Sequence, residues 1–567
     1  MSLKRVISFG VAAMMSVSLL AGCGNGAAET GGQQSGNDAK TEADDGAGKE
    51  DGAGGEADAP DEGNEGASGE IKGANEDAPN TETTDETLRI GLSAEPSTLW
   101  GSAVGKVENE AQIINSAIMD RLVNVDHNTG DVYAMLASEW EWADDTHCTF
   151  TLRDDVTMSD GTPLVADDVV YSVGVWMDAS ANTDTGRYLK GVEAADEHTV
   201  TIEFNTAAPD FMNMLAWSNF AIVSEDEVKA AGGLEAAAKN PTVGVGRYKF
   251  KEWKSGQSIT LERNDDYYDK DYAGYYKEIV FTFTNDAAAR AMAVQSGDLN
   301  VAYDMPISMV NTYVGSDAVD VIMHTFGQNT RLYYNMGPKA GATKDIKVRQ
   351  AIDKALDFDA IAMVGTAGTV PEVHGYFDSE SKYYNETFTA EERKVDLEGA
   401  KALLAEAGYA DGLDLTIVGM QDQNPIFTVM QESLRQAGIN LTINIVDTPQ
   451  FVEAANGGDY DLIHVGDLVD ARYPAMMTFF RQMNIDTFCI GGPKYTTPEV
   501  DDAIGEFIAE KDEKKAQDMA AELEKTWKDE MWFSNTYAEM HAAVTSKGLK
   551  GYNTIERGFV DPTGFYK

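Results

Sequence analysis

Leu413-Asp414-Leu415-Thr416-Ile417-Val418 is followed by Pro425 to Gln436, with Gly438 behind it, and then by Leu441-Thr442-Ile443-Asn444-Ile445-Val446. The first and last segments read as strands and the middle one as a helix. A strand–helix–strand order implies a parallel sheet with helices on its faces. Upstream, Asp396 followed by Ala400, Leu403, Leu404 and Ala407 marks an amphipathic helix that Gly408 closes. Downstream, a short helix near Gln450–Asn456 precedes a further strand, Tyr460-Asp461-Leu462-Ile463-His464-Val465-Gly466. Glu499–Glu510, rich in acids, and Glu513–Lys528, which mixes Glu and Lys, read as surface helices with solvated charges.

The first half is less regular. Thr87–Leu92 alternates as a strand and runs into Glu95-Pro96. A helix is expected near Glu108–Arg121, with Ile113, Ile114, Ala117, Ile118 and Leu122 on one face. Leu136–Trp142 leads into the strand Cys148–Arg153. In Ser159-Asp160-Gly161-Thr162-Pro163-Leu164-Val165-Ala166-Asp167-Asp168-Val169-Val170-Tyr171-Ser172, an Asp-Gly turn opens a helix with acids in its first turn.

Lys4 and Arg5 precede an apolar run, Val6–Leu20, which has the layout of a secretory signal and is too short for a stable membrane span. Leu20-Ala21-Gly22-Cys23 resembles a bacterial lipobox. That resemblance makes residues 1–22 a signal peptide and Cys23 a lipidated N-terminus, anchoring the chain on the outer face of the cell membrane. From Gly24 to Glu86 there is almost no large apolar side chain, and Asp45-Gly46-Ala47-Gly48 is nearly repeated by Asp51-Gly52-Ala53-Gly54. Such a segment cannot offset its chain entropy by burial and is expected to be an extended, disordered spacer.

The whole chain of 567 residues carries a net charge of -51, of which residues 24–86 supply -15 from 18 acidic residues against three lysines. So acidic a body is unsuited to nucleic acid, whose phosphates demand Lys and Arg. The seven histidines are scattered, and no metal or cofactor is signalled. Cys148 and Cys489 lie too far apart in sequence to establish a pair and read as small buried hydrophobes. Gly101-Ser102-Ala103-Val104-Gly105-Lys106-Val107 falls one residue short of a phosphate-binding loop and lacks its Ser or Thr.

The string Ser159–Ser172 resembles the extracellular solute-binding proteins of peptide-type ABC importers, which include oligopeptide-, dipeptide- and nickel-binding members. Val243-Gly244-Val245-Gly246-Arg247-Tyr248-Lys249-Phe250 follows in the family's order, then Leu261–Tyr268, Ser296–Leu299, Asp345–Ala351 and Ala400–Tyr409. Arg247 departs from the family pattern, which usually has proline there. The resemblance implies a periplasmic-binding-protein-like α/β fold of the class II type: two lobes around a ligand cleft, with an additional domain on the first lobe. It divides the chain into 87–120, 225–321 and 541–567 for domain I, 121–224 for domain II, the extra domain, and 322–540 for domain III, the second lobe.

It also implies function: a monomer without enzymatic activity that captures peptide or another small solute and delivers it to ABC permease subunits. The strand 460–466 ends at Asp467-Leu468-Val469-Asp470-Ala471-Arg472-Tyr473-Pro474, and ligands of open α/β sheets bind beyond the carboxyl ends of strands. Asp470 matches the aspartate that pairs with the peptide's α-ammonium in oligopeptide-binding relatives. Asp467 replaces a frequent tryptophan, and Arg472 completes a polar clamp. On the same resemblance Glu108, Phe326 and Arg331 are candidate ligand contacts, and Trp100, which follows the Glu95-Pro96 turn, is a candidate to line the cleft; packing or a surface role is the alternative for each. An oligosaccharide or metal chelate as cargo keeps the mechanism; a surface hydrolase, an adhesin or a solute sensor are readings of other classes.

Overall fold

Strand β2 (Thr87–Leu92) shows how alternation becomes burial: Leu88, Ile90 and Leu92 are all 0% exposed, while Arg89 reaches solvent. The computed structural model describes the chain from residue 71 onward, apart from 73, 76, 78–79, 101–107, 127–130, 179–188, 208–210, 338, 369–372, 378–380, 421–422 and 467–496. These residues belong to the unit Glu65–Lys567. A short β1 (Ile71–Lys72) precedes β2. The extra domain follows, with β3 (Val123–Val125), β4 (Val132–Ala134), β5 (Ala137–Trp142), β6 (His147–Leu152), β7 (Leu189–Asp196) and β8 (Thr199–Phe204). The first lobe then resumes with β9 (Tyr248–Lys254), β10 (Ser258–Arg263), β11 (Glu278–Phe283) and β12 (Val301–Ala302). The long β13 (Val319–Tyr334) leads to the second lobe, which holds β14 (Leu413–Gly419), β15 (Ile439–Ile445) and β16 (Leu462–Gly466), and the equally long β17 (Phe533–Ser546) returns.

Among the described residues one sheet of 11 strands runs in the order β15-β14-β16-β13-β17-β12-β2-β11-β10-β9, with β1 beside β13. The expected βαβ unit is present: β14 and β15 are parallel, joined through the helix Asn424–Gln436. β15 begins two residues before the expected Leu441, because Gly438 at φ +92° turns the chain sharply out of the helix. A separate antiparallel sheet, β5-β6-β8-β7, forms the extra domain with the helix Ala166–Asp178 against it. Its Asp160-Gly161 turn is closed by Thr162, whose N–H donates to Asp160 Oδ1 at 2.9 Å.

Only β13 and β17 lie between the two halves of the large sheet. Val319–Thr325 pair with Ser546–Met540, and Asn329–Tyr333 pair with Ala538–Phe533. The register shifts between Thr325 and Asn329, and again between Asn329 and Arg331. Such irregularities interrupt the ladder and allow it to bend.

Three expectations require correction. The helix read as Glu108–Arg121 spans Asn109–Ile118 and ends early. Gly246 N–H donates to Ile118 O at 3.0 Å, and a Cβ at Gly244 would stand 2.1 Å from that oxygen. The Gly-Val-Gly segment thus occupies the space of the next helical turn. Ile71, Lys72, Asn75 and Asp77, which composition places in the spacer, are docked: Ile71 and Lys72 pair with Val321 and Ile322, Lys72 Nζ lies 2.8 Å from Asp320 Oδ2, Asn75 N–H donates to Tyr552 O, and Asp77 Oδ2 accepts from Gly551 N–H. Polar groups hold this arm, so a reading of apolar content misses it. Lastly, the charges of the helices Pro498–Ala509 and Glu513–Glu530 are not all solvated: Ile504, Phe507, Leu523 and Trp527 form the face that packs into the core, and Glu524 is 0% exposed with them.

Candidate functional site

β14 and β16 run parallel, and their carboxyl ends face the boundary between the lobes. β16 stops at Gly466. A Cβ there would stand 2.5 Å from Oε2 of Glu539, so the carboxylate of β17 lies directly over the backbone where β16 ends. Glu539 falls between Ala538 and Met540, the partners of Asn329 and Thr325, and therefore opposite the break in the β13 register. The site thus joins a strand terminus, an acidic side chain and an irregular crossing in one place. Sequence reasoning did not single out Glu539. The available signal was a lone carboxylate inside Phe533–Ser546, a strand otherwise largely buried.

Beneath lies a buried polar network. His464 Nε2 is 3.0 Å from Thr536 Oγ1, which is 2.6 Å from Thr330 Oγ1; Thr330 Oγ1 in turn donates to Tyr537 O at 3.1 Å. Arg331 Nε donates to Asn535 Oδ1 at 2.6 Å, and Asn535 Nδ2 donates to His374 O at 2.9 Å. The Arg331 guanidinium stacks over the rings of Tyr376 (4.3 Å) and Phe533 (5.1 Å). Glu524 enters from the helix behind and accepts from Phe377 N–H at 2.9 Å. Burial pushes its carboxyl up to about 7, against the opposing pull of those amides and of Arg331. Burial also lowers His464 to about 4, so its imidazole is neutral at physiological pH.

The residues named from sequence fall in three groups. Asp467, Asp470 and Arg472 lie outside the described residues, as do Cys23 and Cys489. Trp100 and Glu108 belong to the first lobe. Trp100 is 1% exposed within that lobe's core, and Glu108 Oε2 accepts from Ser97 N–H at 2.6 Å, fastening the 93–97 turn to the helix that follows. Arg331 is 0% exposed in the network just described, and Phe326 lies on β13 at the register break. Trp100 and Glu108 are thereby grouped in one lobe, and Arg331 in the other. Cys148 is a free, buried thiol whose burial pushes its pKa up to about 12.

Among the described residues, no group of three or more His, Cys, Asp or Glu is placed to hold a metal ion, and no helix is long and apolar enough to cross a membrane. The groups beneath the strand ends make hydrogen bonds to one another, a rigid polar floor suited to orienting a ligand.

Comparison with known proteins gives a consistent result. The description of the bacterial extracellular solute-binding proteins, family 5 (middle), matches residues 131–487. The periplasmic oligopeptide-binding protein OppA of Salmonella typhimurium is 24% identical over 451 residues, covering 74% of this chain and 81% of that protein. The oligopeptide-binding protein OppA of Bacillus subtilis is 23% identical over 499 residues, covering 82% and 90%. Among solved structures, the oligopeptide-binding protein AppA of Bacillus subtilis in complex with a nonapeptide superposes with a TM-score of 0.71 at 22% identity, covering 86% of this chain and 99% of that one.

Proposed function

This chain belongs to the bacterial extracellular solute-binding proteins of family 5, and from that premise we propose that it captures oligopeptides between its lobes and delivers them to the permease of an ABC importer. The observation that carries this reading is the crossing of β13 and β17, whose register breaks between the lobes beside Gly466 and Glu539. A two-strand crossing with an interrupted ladder is a hinge that can close on a ligand. The oligopeptide-binding relatives supply the cargo class. The role is capture and release, with no bond made or broken.

In this reading Asp470 receives the peptide's α-ammonium, with Asp467 and Arg472 completing the clamp and Trp100, Glu108, Phe326 and Arg331 shaping or supporting the cleft. Domain I comprises 87–120, 225–321 and 541–567, domain II 121–224 and domain III 322–540. Residues 1–22 act as a lipoprotein signal, Cys23 as the anchor, and the chain between it and the docked arm that begins at Ile71 as a spacer. Cys23 carries the lipid that holds the protein, as a monomer, on the outer face of the cell membrane. Two acyl chains are enough for stable anchoring, since each buried methylene contributes about 0.8 kcal/mol.

The test is mass spectrometry of whatever the purified protein releases on denaturation, together with melting curves against peptide pools. A peptide at a hundred times its Kd is expected to stabilise by about 2.7 kcal/mol. In Asp470→Ala that stabilisation is expected to vanish, because the ammonium loses its counter-charge. Stabilisation by saccharides or metal chelates but by no peptide would refute the cargo. For the anchor, Cys23→Ala is expected to move the protein from the membrane fraction to the medium; unchanged membrane association would refute lipidation.

A further inference from the structure

Asn75 takes the left-handed conformation, φ +58°, which asparagine tolerates better than most residues because its short amide bonds locally. Both ends of that amide meet one residue: Nδ2 donates to Thr554 Oγ1 at 2.8 Å, and Oδ1 accepts from Thr554 N–H at 2.8 Å. The Asn75 N–H donates to Tyr552 O at 2.9 Å, and Asp77 Oδ2 accepts from Gly551 N–H at 2.8 Å. Upstream, Ile71 and Lys72 add a short parallel strand to β13 at Val321 and Ile322, on the edge that β17 leaves open. The arm thus clasps two segments, the start of β13 and the stretch 551–554 that follows β17.

Asp320 ties these parts together. It is 7% exposed, and its carboxylate receives Lys72 Nζ at 2.8 Å, Lys547 Nζ at 2.9 Å and the Gly548 N–H at 2.9 Å. Burial alone would raise its pKa; these donors bring it down to about 2, so the junction stays charged at physiological pH. The clasp reaches further through Tyr552, which is buried and packs its ring on His324 with centroids 5.7 Å apart. His324 is the ladder partner of His541, and their rings are 5.8 Å apart. Its neighbour Thr325 is the last paired residue before the ladder breaks.

Beyond the break the crossing is held from the second lobe, by the hydrogen bonds among Thr330, Thr536 and His464. Only Thr325 to Asn329 lies between the two fixed ends. We propose that the N-terminal arm is a hinge brace: by clamping β13 and β17 as far as His324 and His541, it confines lobe closure to Thr325–Asn329. This rests on the capture reading above and adds that a segment outside both lobes' cores sets where the hinge bends. A hinge with fewer open conformations loses less freedom on closing, so the brace favours ligand binding from a distance.

The experiment follows hydrogen exchange of the full chain with and without a pool of random-sequence pentapeptides. In the parent, peptide is expected to alter exchange at Thr325–Asn329 and in the second lobe, and to leave Val321–His324 and His541–Val544 as they were. The variant combines Lys72→Ala, Asn75→Ala and Asp77→Ala. In it those two stretches are expected to exchange about tenfold faster without peptide and to respond when peptide is added. Leu332–Tyr334 and Phe533–Asn535 are expected to exchange as in the parent. The half-saturating concentration of the pool is expected to rise about three- to tenfold. Asn75→Ala alone, which removes only the amide bonds to Thr554, is expected to act in the same direction by less, and it keeps the test decisive if the triple variant unfolds. The brace is overturned if peptide already alters Val321–His324 in the parent, or if both variants exchange and bind as the parent does. Faster exchange throughout both variants, Leu332–Tyr334 included, would show a general loss of stability and overturn it too. If no peptide alters exchange anywhere in the parent, the capture reading falls and the brace with it.

Discussion

Glu524 sits in a helix whose mixed Glu and Lys read as solvated, yet it is 0% exposed and carries a carboxyl raised from 4.5 to about 7. Because the folded protein holds that proton more tightly than the unfolded chain, the associated stability is full below pH 4.5 and is lost as pH rises through 7, by roughly 3 kcal/mol in all. Glu524→Gln is therefore expected to be more stable than the parent at pH 8, with a flatter denaturant midpoint between pH 5 and 8; an unchanged pH profile would refute this. His324 and His464 work in the opposite window. Burial lowers each from 6.5 to about 4, so their contribution is present above 6.5 and lost as pH falls toward 4. At this scale the sequence was least informative. The one-dimensional order of charges cannot tell which carboxylate faces Arg331, and the register of a helix against its neighbours is a tertiary property.

At the scale of elements, boundaries were legible wherever a local cap or glycine sets them. Asp396 caps Leu397–Glu406 by accepting from Gly399 N–H, as its place before the apolar pattern implied, whereas the capping box of Asp447 and Gln450 starts the next short helix at Thr448, two residues before the expected Gln450. The helix Asn109–Ile118 was misjudged because its end is set by a segment more than a hundred residues away. There Gly246 packs so closely that a Cβ would stand 2.4 Å from Ala117 O. Gly246→Ala is accordingly expected to destabilise by about 1–3 kcal/mol or more, read as a lowered urea midpoint at unchanged slope. A midpoint within error of the parent would show that this approach is not tight.

Across the whole molecule, one apolar cluster runs from Phe150 and Ile202 of the extra domain to Phe507 and Trp527 of the second lobe. An ion pair between Lys511 and Asp145 lies across the same boundary. Both partners are more than half exposed, so Lys511→Ala is expected to change stability by less than about 1 kcal/mol. Phe150→Ala, by contrast, removes a fully buried ring and is expected to cost about 3–5 kcal/mol. It is expected to lower the melting of extra domain and second lobe together in one calorimetric transition. Two separate transitions would show that the shared cluster does not couple them.

The local periodicities of 413–446, the caps and the collinear motifs were enough to establish an α/β chain of this family, because they depend on residues close in sequence. The glycines of 243–250 were visible as a motif but not as the reason a distant helix stops. Glu539 beside Gly466, Glu524 beneath Arg331, and the arm that ties Lys72 to Asp320 and Asn75 to Thr554 were decided only by the tertiary structure. Each depends on which distant segments the sheet crossing and the two chain ends bring together, and no local pattern of polarity encodes that proximity.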